Sequence, residues 1–233
     1  MQLKEHRPTA VVGPSRGALR ARYWRALLFF ARVTVGVLWW DLLLRRVGMR
    51  SLARRTAPSR YEGVARRYRA LAVRQGGLWI KVGQFLSARV DVLPPYVTSE
   101  LAGLQDEVPA ESIERILGVV ESEFSDRAVA SFSWFDPQPL ASASLGQAHR
   151  ARLPNGQAAV VKVQRPGIED VIQVDLEALG HVVGWLKWFR AITRRADPDA
   201  LLAEFSRTLW EELDYLAEAK NALSFGTMFA EDP

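Results

Sequence analysis

Residues 139–167, PLASASLGQAHRARLPNGQAAVVKVQRPG, are the stretch that decides the predicted fold. Residues 147–153 have the composition of a strand, residues 154–156 (Pro-Asn-Gly) form a tight turn, and residues 158–164 make a second strand. The stretch therefore predicts an antiparallel hairpin that carries Lys162 near the end of its second strand.

A run of small residues comes just before the first strand of this hairpin. We expect Pro139 to break regular structure, and small or hydroxyl side chains follow it at Ala141, Ser142, Ala143, Ser144 and Gly146. Small side chains let an anionic group approach backbone N–H groups closely, so the run predicts a phosphate cradle beside Lys162. An ordinary surface hairpin is the alternative, because small-residue loops and strand lysines are common.

Composition limits the chemistry that the chain can perform. The 233 residues include no cysteine and three scattered histidines, which excludes a thiolate nucleophile and a cysteine zinc site and makes a metal site unfavourable. Residues 1–70 hold 16 Lys/Arg against 3 Asp/Glu, whereas residues 71–233 hold 15 against 23. A basic arm on an acidic body predicts an anionic partner for the arm, and the absence of cysteine fits a cytoplasmic location.

The basic arm contains an apolar block at residues 23–44. We read residues 1–19 as a mobile tail, and we predict no transmembrane helix, because Arg25, Arg32 and Asp41 interrupt the apolar block. Bulky apolar residues alternate there with arginines, a pattern that fits a helix lying at an anionic membrane surface as a peripheral contact. The alternative is a helix that packs its apolar side on the protein. No base-reading motif accompanies the arginines, so we expect no nucleic-acid binding.

The next segment predicts helices with one approachable face. Residues 59–89 have a helical pattern that Gly76-Gly77 interrupts and that prolines 94 and 95 end, and further helices are predicted at residues 95–104 and 111–123. At helical spacing Lys81 and Gln84 share a face with small residues, so another backbone could approach that face. A solvated helix lysine is the alternative for Lys81.

After the hairpin, residues 168–189 and 197–230 predict two helices, the second with Asp197 as its N-cap. Glu212 falls within the apolar stripe of the last helix, so the carboxylate needs a cation such as Lys81, unless the helical register differs. Asp214 and Glu218 share another face, which in an isolated helix would be a solvated acidic face.

Four motifs in this order resemble those of the UbiB/AarF-type atypical kinases, kinase-like proteins associated with ubiquinone biosynthesis. Residues 81–84 (KVGQ) match the KxGQ signature, and residues 141–144 (ASAS) lie where the family has an alanine-rich loop. Lys162, followed by VQRPG, occupies the place of the strand lysine, and residues 212–214 (ELD) match the ExD motif. The resemblance covers roughly residues 60–225.

The resemblance implies a phosphotransferase-type enzyme, an ATPase or small-molecule kinase that uses ATP and Mg²⁺. Lys162 would hold the α- and β-phosphates, and Glu218 lies where the family has the glutamate that pairs with this lysine. The implied ATP-binding loop consists of Ala141, Ser142, Ala143, Ser144, Leu145, Gly146 and Gln147. The residues that would close over the nucleotide are Lys81, Gly83, Gln84, Glu212 and Asp214.

Two departures from the family pattern affect these expectations. The loop reads ASAS where the fullest motif is AAAS, so a serine hydroxyl could alter the phosphate contact. The sequence also ends at Pro233 without a catalytic-loop aspartate or a metal-binding DFG-like aspartate. We therefore expect no catalytic residue or metal ligand in this chain. A non-catalytic membrane-binding or scaffold module is the alternative function.

The predicted fold class is α+β, a protein-kinase-like N-lobe preceded by a helical extension that carries the KxGQ motif. Residues 1–19 would form the tail, 20–58 the basic arm, 59–128 the helical extension and 129–233 the N-lobe, with the C-lobe absent. We expect the inner face of the hairpin to pack against the last helix. Expected partners are a nucleotide, an anionic membrane surface and proteins of quinone-lipid biosynthesis.

Overall fold

The computed structural model describes residues 13–88, 93–105, 108–124, 131–189, 193–194 and 197–229. The chain divides into two compact units, Met1–Ala178 and Leu179–Pro233. The first contains the helices of the N-terminal half and the sheet, and the second is helical. Each unit is described by itself.

A long helical segment opens the first unit. Helix α1 (Arg16–Val37) continues through a π-helical stretch (Leu38–Leu43) into the short α2 (Leu44–Arg46). The Ser15 hydroxyl caps α1 by accepting a hydrogen bond from the Ala18 N–H at 3.2 Å. Because α1 begins at Arg16, the last residues of the predicted tail are helical; residues 1–12 of that tail lie outside the described residues.

The described segment Arg16–Arg46 is long and apolar enough to cross a membrane, judged by length and composition alone. We predicted no such helix, because charged residues interrupt the apolar block, but their number is small enough to pass that test. The buried residues of this segment, Ala26 and Leu27, both lie in its first half. The second half of this segment therefore presents a wide apolar surface, including Trp39, whose surface is 55% exposed.

Three further helices follow in the first unit. Helix α3 (Arg50–Gln75) ends at Gly76 and α4 (Leu78–Ser87) starts after Gly77, which confirms the predicted interruption. Both glycines have positive φ, +64° and +57°, a conformation that other residues adopt only with strain. Helix α5 (Pro95–Ala102) continues into a 3₁₀ turn (Gly103–Gln105).

Aromatic packing and a buried ion pair join α1 to the rest of the unit. The ring of Phe30 lies 5.5 Å from that of Trp79 and 6.1 Å from that of Tyr68, measured between centroids. Arg22 contacts Asp175 through two hydrogen bonds of 2.7 and 2.5 Å, and it also donates to the carbonyl oxygens of Gln75 and Gly76. The first half of the arm is therefore packed on the protein, which is the second of the two alternatives that the sequence allowed.

The sheet has three antiparallel strands in the order β1 (Trp134–Ser142), β2 (Gly146–Arg152) and β3 (Ala158–Gln164). The predicted hairpin between β2 and β3 is confirmed, and Gly156 in its turn has a φ of +84°. Our prediction that Pro139 breaks regular structure is wrong. Strand β1 runs through it, because an outer strand of the described sheet tolerates a missing N–H, and only the register is irregular at that residue.

One face of the sheet is buried against helix α6 (Ile113–Phe124). The core at this face consists of Phe132, Phe135, Ala151 and Val163 from the sheet region with Ile116, Leu117 and Val120 from α6. We predicted that the last helix would cover this face, and that prediction is wrong. The amphipathic α6, which precedes β1 in the chain, supplies the covering residues.

Helix α7 (Ile168–Leu186) spans the division between the units, and two helices follow in the second unit. They are α8 (Pro198–Leu213), which begins at the predicted Asp197 cap, and α9 (Tyr215–Met228). A single helix was predicted here, and that is wrong. Asp214 leaves the helical conformation (φ −80°, ψ 79°), and its side chain accepts a hydrogen bond from the Ala217 N–H at 2.9 Å, which starts α9. The fold class is α+β, as predicted.

Candidate nucleotide-binding site

The open face of the sheet carries the strand lysine. Across the three strands Ala141 pairs with Ala148, and Ala148 pairs with Lys162. Residues directly opposite one another point to the same face of a sheet, with Cβ atoms about 5 Å apart on neighbouring strands. Lys162 is exposed and stands in one row with two small side chains, so a flat ligand could lie over the alanines and reach the lysine.

The loop between β1 and β2 is shaped by its own backbone. The Ala143 N–H donates to the Gly146 carbonyl oxygen at 2.8 Å, and the Arg165 N–H donates to the Leu145 carbonyl oxygen at 2.9 Å. Ser144 and Leu145 are buried. We predicted that the N–H groups of this loop would be open to an anion, but the Ala143 N–H is already used within the loop.

The side chain of Arg165 clamps the outside of the loop. Its Nε donates to the Ala143 carbonyl oxygen (3.1 Å), and its Nη2 donates to the Ser142 hydroxyl (3.1 Å) and to the Pro109 carbonyl oxygen (2.6 Å). Its Nη1 donates to Glu111 Oε1 at 3.0 Å. Burial lowers the pKa of Arg165, whereas the Glu111 carboxylate opposes that shift. One guanidinium group thus holds the loop to the segment that leads into α6.

Ser142 is the residue at which the loop departs from the AAAS pattern. Its hydroxyl accepts from Arg165 and lies 3.3 Å from the Pro109 carbonyl oxygen, to which it donates. The serine hydroxyl therefore strengthens the attachment of the loop to residues 109–111, rather than pointing at a phosphate position.

A second buried network supports the loop from behind. The Gln147 side chain accepts from the Glu111 N–H (2.5 Å) and donates to the Glu111 carbonyl oxygen (3.3 Å) and to His149 Nε2 (3.1 Å). His149 Nδ1 lies 2.8 Å from the Asp136 carbonyl oxygen, which only accepts, so Nδ1 carries the proton and Nε2 accepts from Gln147. Gln147 is 1% exposed, so its side chain supports the loop and only its backbone could reach a nucleotide.

The KxGQ motif lies on α4, and close packing around Gly83 explains why its third residue is a glycine. A Cβ atom at Gly83 would lie 2.3 Å from Leu104 Cδ1 and 3.1 Å from Tyr68 Cε1, so a larger residue would displace both. Gln84 Nε2 donates to the Leu104 carbonyl oxygen at 3.4 Å. Lys81 is half-buried on the same helix. The tight packing of this helix is therefore at Gly83, against the side chains of Leu104 and Tyr68, whereas the approach of another backbone to the face of Lys81 and Gln84 stays a prediction.

The acidic motif residues belong to the second unit. Glu212, Asp214 and Glu218 are exposed there, so Glu212 does not lie in a buried stripe as we predicted. Of the predicted apolar stripe only Leu209 and Leu213 are buried, whereas Leu216 and Leu223, which lie beyond the end of α8, are exposed. Pairing of Lys162 with Glu218, and of Lys81 with Glu212, stays a prediction.

Sequence reasoning missed Arg165 and Glu111 as residues of the site. Arg165 was visible only as part of the VQRPG string, and Glu111 only as the start of a helix. The two lie 54 positions apart, and no local pattern announces such a contact. No group of three His, Cys, Asp or Glu side chains that could hold a metal ion occurs among the described residues.

Comparison with known proteins identifies the family. The model of the ABC1 atypical kinase-like domain matches residues 103–233, more than half of the chain. The chain belongs to this family. It corresponds to the N-terminal portion of a UbiB-type protein, as the motifs predicted.

Several relatives share this similarity. A probable protein kinase UbiB of Marinobacter nauticus is 40% identical over 68% of the chain and 29% of its own length. A probable protein kinase UbiB of Pseudomonas putida is 42% identical over 63% of the chain and 27% of its own length. An uncharacterised protein of Synechocystis is 38% identical over 94% of the chain and 38% of its own length. The chain thus spans less than two fifths of the length of these relatives.

One solved structure is also similar to the chain. It is the complex of Rv3197 with erythromycin from Mycobacterium tuberculosis, with a TM-score of 0.47 and 25% identity over 77% of this chain and 45% of that one.

Proposed function

We propose that the atypical-kinase chain binds ATP over the open face of its sheet, as the nucleotide-binding part of a kinase or ATPase. Lys162 would hold the α- and β-phosphates, and the loop of residues 141–147 would cover them. Glu218 would position Lys162, while Lys81, Gly83, Gln84, Glu212 and Asp214 would close over the nucleotide. The phosphoryl acceptor, by family resemblance, is a small molecule of quinone-lipid biosynthesis.

The observation that carries the proposal is that the loop of residues 141–147, beside Lys162, is held in a fixed shape. Arg165 and Gln147 attach the loop to Glu111 from two sides, so the loop is held in shape before any ligand arrives. Preorganisation of this kind lowers the entropy lost on binding. ATP in a kinase is used together with Mg²⁺, but the described residues gather no group of three His, Cys, Asp or Glu side chains that could hold that ion.

A titration with ATP tests the proposal. We expect Lys162→Met to weaken ATP binding roughly tenfold to a hundredfold, because a charged hydrogen bond contributes about 1.5–3 kcal/mol. Lys187→Met is the matched control, since Lys187 pairs with Asp199 in the second unit. Unchanged ATP affinity in Lys162→Met, with both variants folded, would show that the lysine row is not the nucleotide site.

We also propose that the arm associates with anionic membranes. The support is the exposed apolar surface of residues 35–43 and the basic residues that follow at Arg45, Arg46 and Arg50. Anionic vesicles should capture the protein, and rising salt should release part of it, because each basic residue near such a surface contributes about 1 kcal/mol that salt weakens. Equal capture by neutral and anionic vesicles would reject the electrostatic part of this proposal.

A further inference from the structure

Two cavities lie side by side where α1 crosses α3, and none of the four sequence motifs contributes a described residue to their linings. One has a volume of about 370 Å³ and the other about 430 Å³. They share four lining residues, Phe29 and Val33 of α1 and Tyr61 and Val64 of α3. Both volumes fall within the range of small-molecule sites in proteins.

The smaller cavity has an apolar lining. Its walls come from four helices and the residues before α5, and they include Phe30 of α1, Ala65 of α3, Leu86 of α4, and Val97 and Leu101 of α5. Both tyrosine hydroxyls are engaged, that of Tyr61 with Asp41 Oδ2 at 2.8 Å and that of Tyr68 with the Trp79 carbonyl oxygen at 2.7 Å. A ligand in this cavity would contact aliphatic side chains and the faces of aromatic rings.

The phenol groups of this cavity also stay neutral. Burial, followed by the hydrogen bond to Asp41, raises the pKa of Tyr61 to about 12. Burial raises the pKa of Tyr68 well above its usual value. The described lining of the smaller cavity therefore offers no charge to a ligand at neutral pH, and a hydrocarbon chain is the group that suits it.

The larger cavity differs because it is basic. Among the described residues, its lining includes Arg32, Arg60 and Arg67 and no carboxylate. Asp41 lies outside the lining and pairs with Arg60 at 3.4 Å, and the Arg60 guanidinium also stacks 4.8 Å from the Trp40 ring. Even with Arg60 neutralised, two guanidinium groups remain, so the cavity suits an anionic group.

We infer that the two cavities together form a site for a single-chain anionic amphiphile, with the hydrocarbon chain in the apolar cavity and the anionic head among the arginines. A volume of 370 Å³ accommodates on the order of ten methylene-sized groups, since a water molecule occupies about 30 Å³. This inference does not depend on nucleotide binding. The chain could come from a free amphiphile or from a lipid drawn out of a bilayer, and the experiment separates these sources.

Alkyl phosphates of increasing length, each below its micelle concentration, are the probe. Affinity should rise roughly threefold to fourfold for each added methylene until the apolar cavity is full, and dodecyl maltoside, whose head is neutral, should bind more weakly than dodecyl phosphate. Affinity that ignores chain length, or equal binding of both head groups, overturns the proposal. If phosphatidic acid vesicles but no monomeric alkyl phosphate bind, the ligand is a bilayer surface and the cavity assignment is wrong.

Two sets of variants locate the binding. Val97→Phe fills the apolar cavity from α5 and should weaken dodecyl phosphate binding at least about tenfold, as expected for the loss of several buried methylenes. Arg32→Gln with Arg67→Gln should weaken it by about tenfold at low salt, and high salt should narrow that difference. Arg54→Gln with Arg74→Gln is the matched control, because these exposed arginines of α3 line neither cavity. Equal losses of dodecyl phosphate affinity in the two double variants overturn the proposal.

Mapping on the unmodified chain removes any dependence on variant folding. A photoactivatable dodecyl phosphate with its reactive group at the chain end should label peptides of α1, α3 or α5. Labelling confined to Leu38, Trp39, Leu42, Leu43 and Arg46, which line a separate surface cavity, would place the ligand elsewhere and overturn the proposal.

Discussion

The two units of this atypical-kinase chain differ in how deeply their key charged residues are buried. In the first unit Asp175 is fully buried against Arg22, and Arg165 is largely buried against Glu111. In the second unit the three acidic motif residues Glu212, Asp214 and Glu218 are exposed, and α9 has no buried residue among those described.

This difference shows where the geometry of the site comes from. These two buried pairs of the first unit lie in networks that connect distant segments, so packing determines the position of the loop and of the arm. In the second unit Asp214 acts locally, as the cap of α9. The loop is therefore preorganised by tertiary contacts, whereas the acidic residues are positioned by one helix end.

The largest effect that would sharpen this comparison is expected at Arg22. Arg22→Leu leaves the Asp175 carboxylate buried without its partner, a change that typically costs about 3–5 kcal/mol. Burial raises the pKa of Asp175, and Arg22 opposes that shift, so loss of Arg22 should raise the pKa of Asp175 further. Urea unfolding measures the loss of stability. Arg66→Leu is the control, because its pair with Glu62 is exposed and contributes about 0–1 kcal/mol. Similar losses in both variants would contradict the distinction.

A smaller effect is expected at the loop clamp. Arg165→Leu removes hydrogen bonds to a carboxylate, a hydroxyl and two carbonyl oxygens, so we expect a loss of about 1.5–3 kcal/mol in the free energy of unfolding. ATP affinity should fall as well, because the loop would no longer be held in shape.

Arg165→Lys separates charge from geometry. Lysine keeps the charge but lacks the planar fork, so ATP binding should recover only in part. Arg54→Leu, at an exposed position of α3 and away from the sheet, is the control and should leave both quantities nearly unchanged. If Arg165→Lys equals the unmodified chain in ATP affinity, the clamp does not shape the nucleotide site.

The third effect concerns the helix break in the second unit. Asp214→Ala removes the cap of α9 and should cost about 1 kcal/mol, measured by thermal or urea unfolding, whereas Asp214→Asn keeps a capping side chain and should be nearly neutral. A loss of ATP binding in Asp214→Asn at unchanged stability would show that the carboxylate itself serves the site, beyond capping.

The smallest effect is the predicted contact between the KxGQ helix and the ExD motif. Because Glu212 is exposed, a pair with Lys81 should contribute about 0.5–1 kcal/mol, rather than the larger amount expected for a buried pair. A double-mutant cycle of Lys81→Met and Glu212→Gln measures this coupling. A coupling below roughly 0.5 kcal/mol would mean that the two residues do not touch.

The sequence by itself determined the features that depend on local chemistry. The turn at Gly156, the break at Gly76-Gly77 and the Asp197 cap all occur where their residue types predict them, because φ preferences and capping are properties of a few neighbouring residues. The order of the motifs also sufficed to identify the family, because each motif is a short string that can be recognised without knowing any tertiary contact.

Only the tertiary structure decided the features that depend on distant partners. The helical periodicity of residues 197–230 could not reveal that Asp214 would leave the helix to cap a new one, because an aspartate fits either role in a periodic pattern. Likewise, nothing in the sequence paired Arg165 with Glu111 or placed α6 on the sheet. Such contacts join residues that folding alone brings together, so the supports of the candidate site were decided by packing.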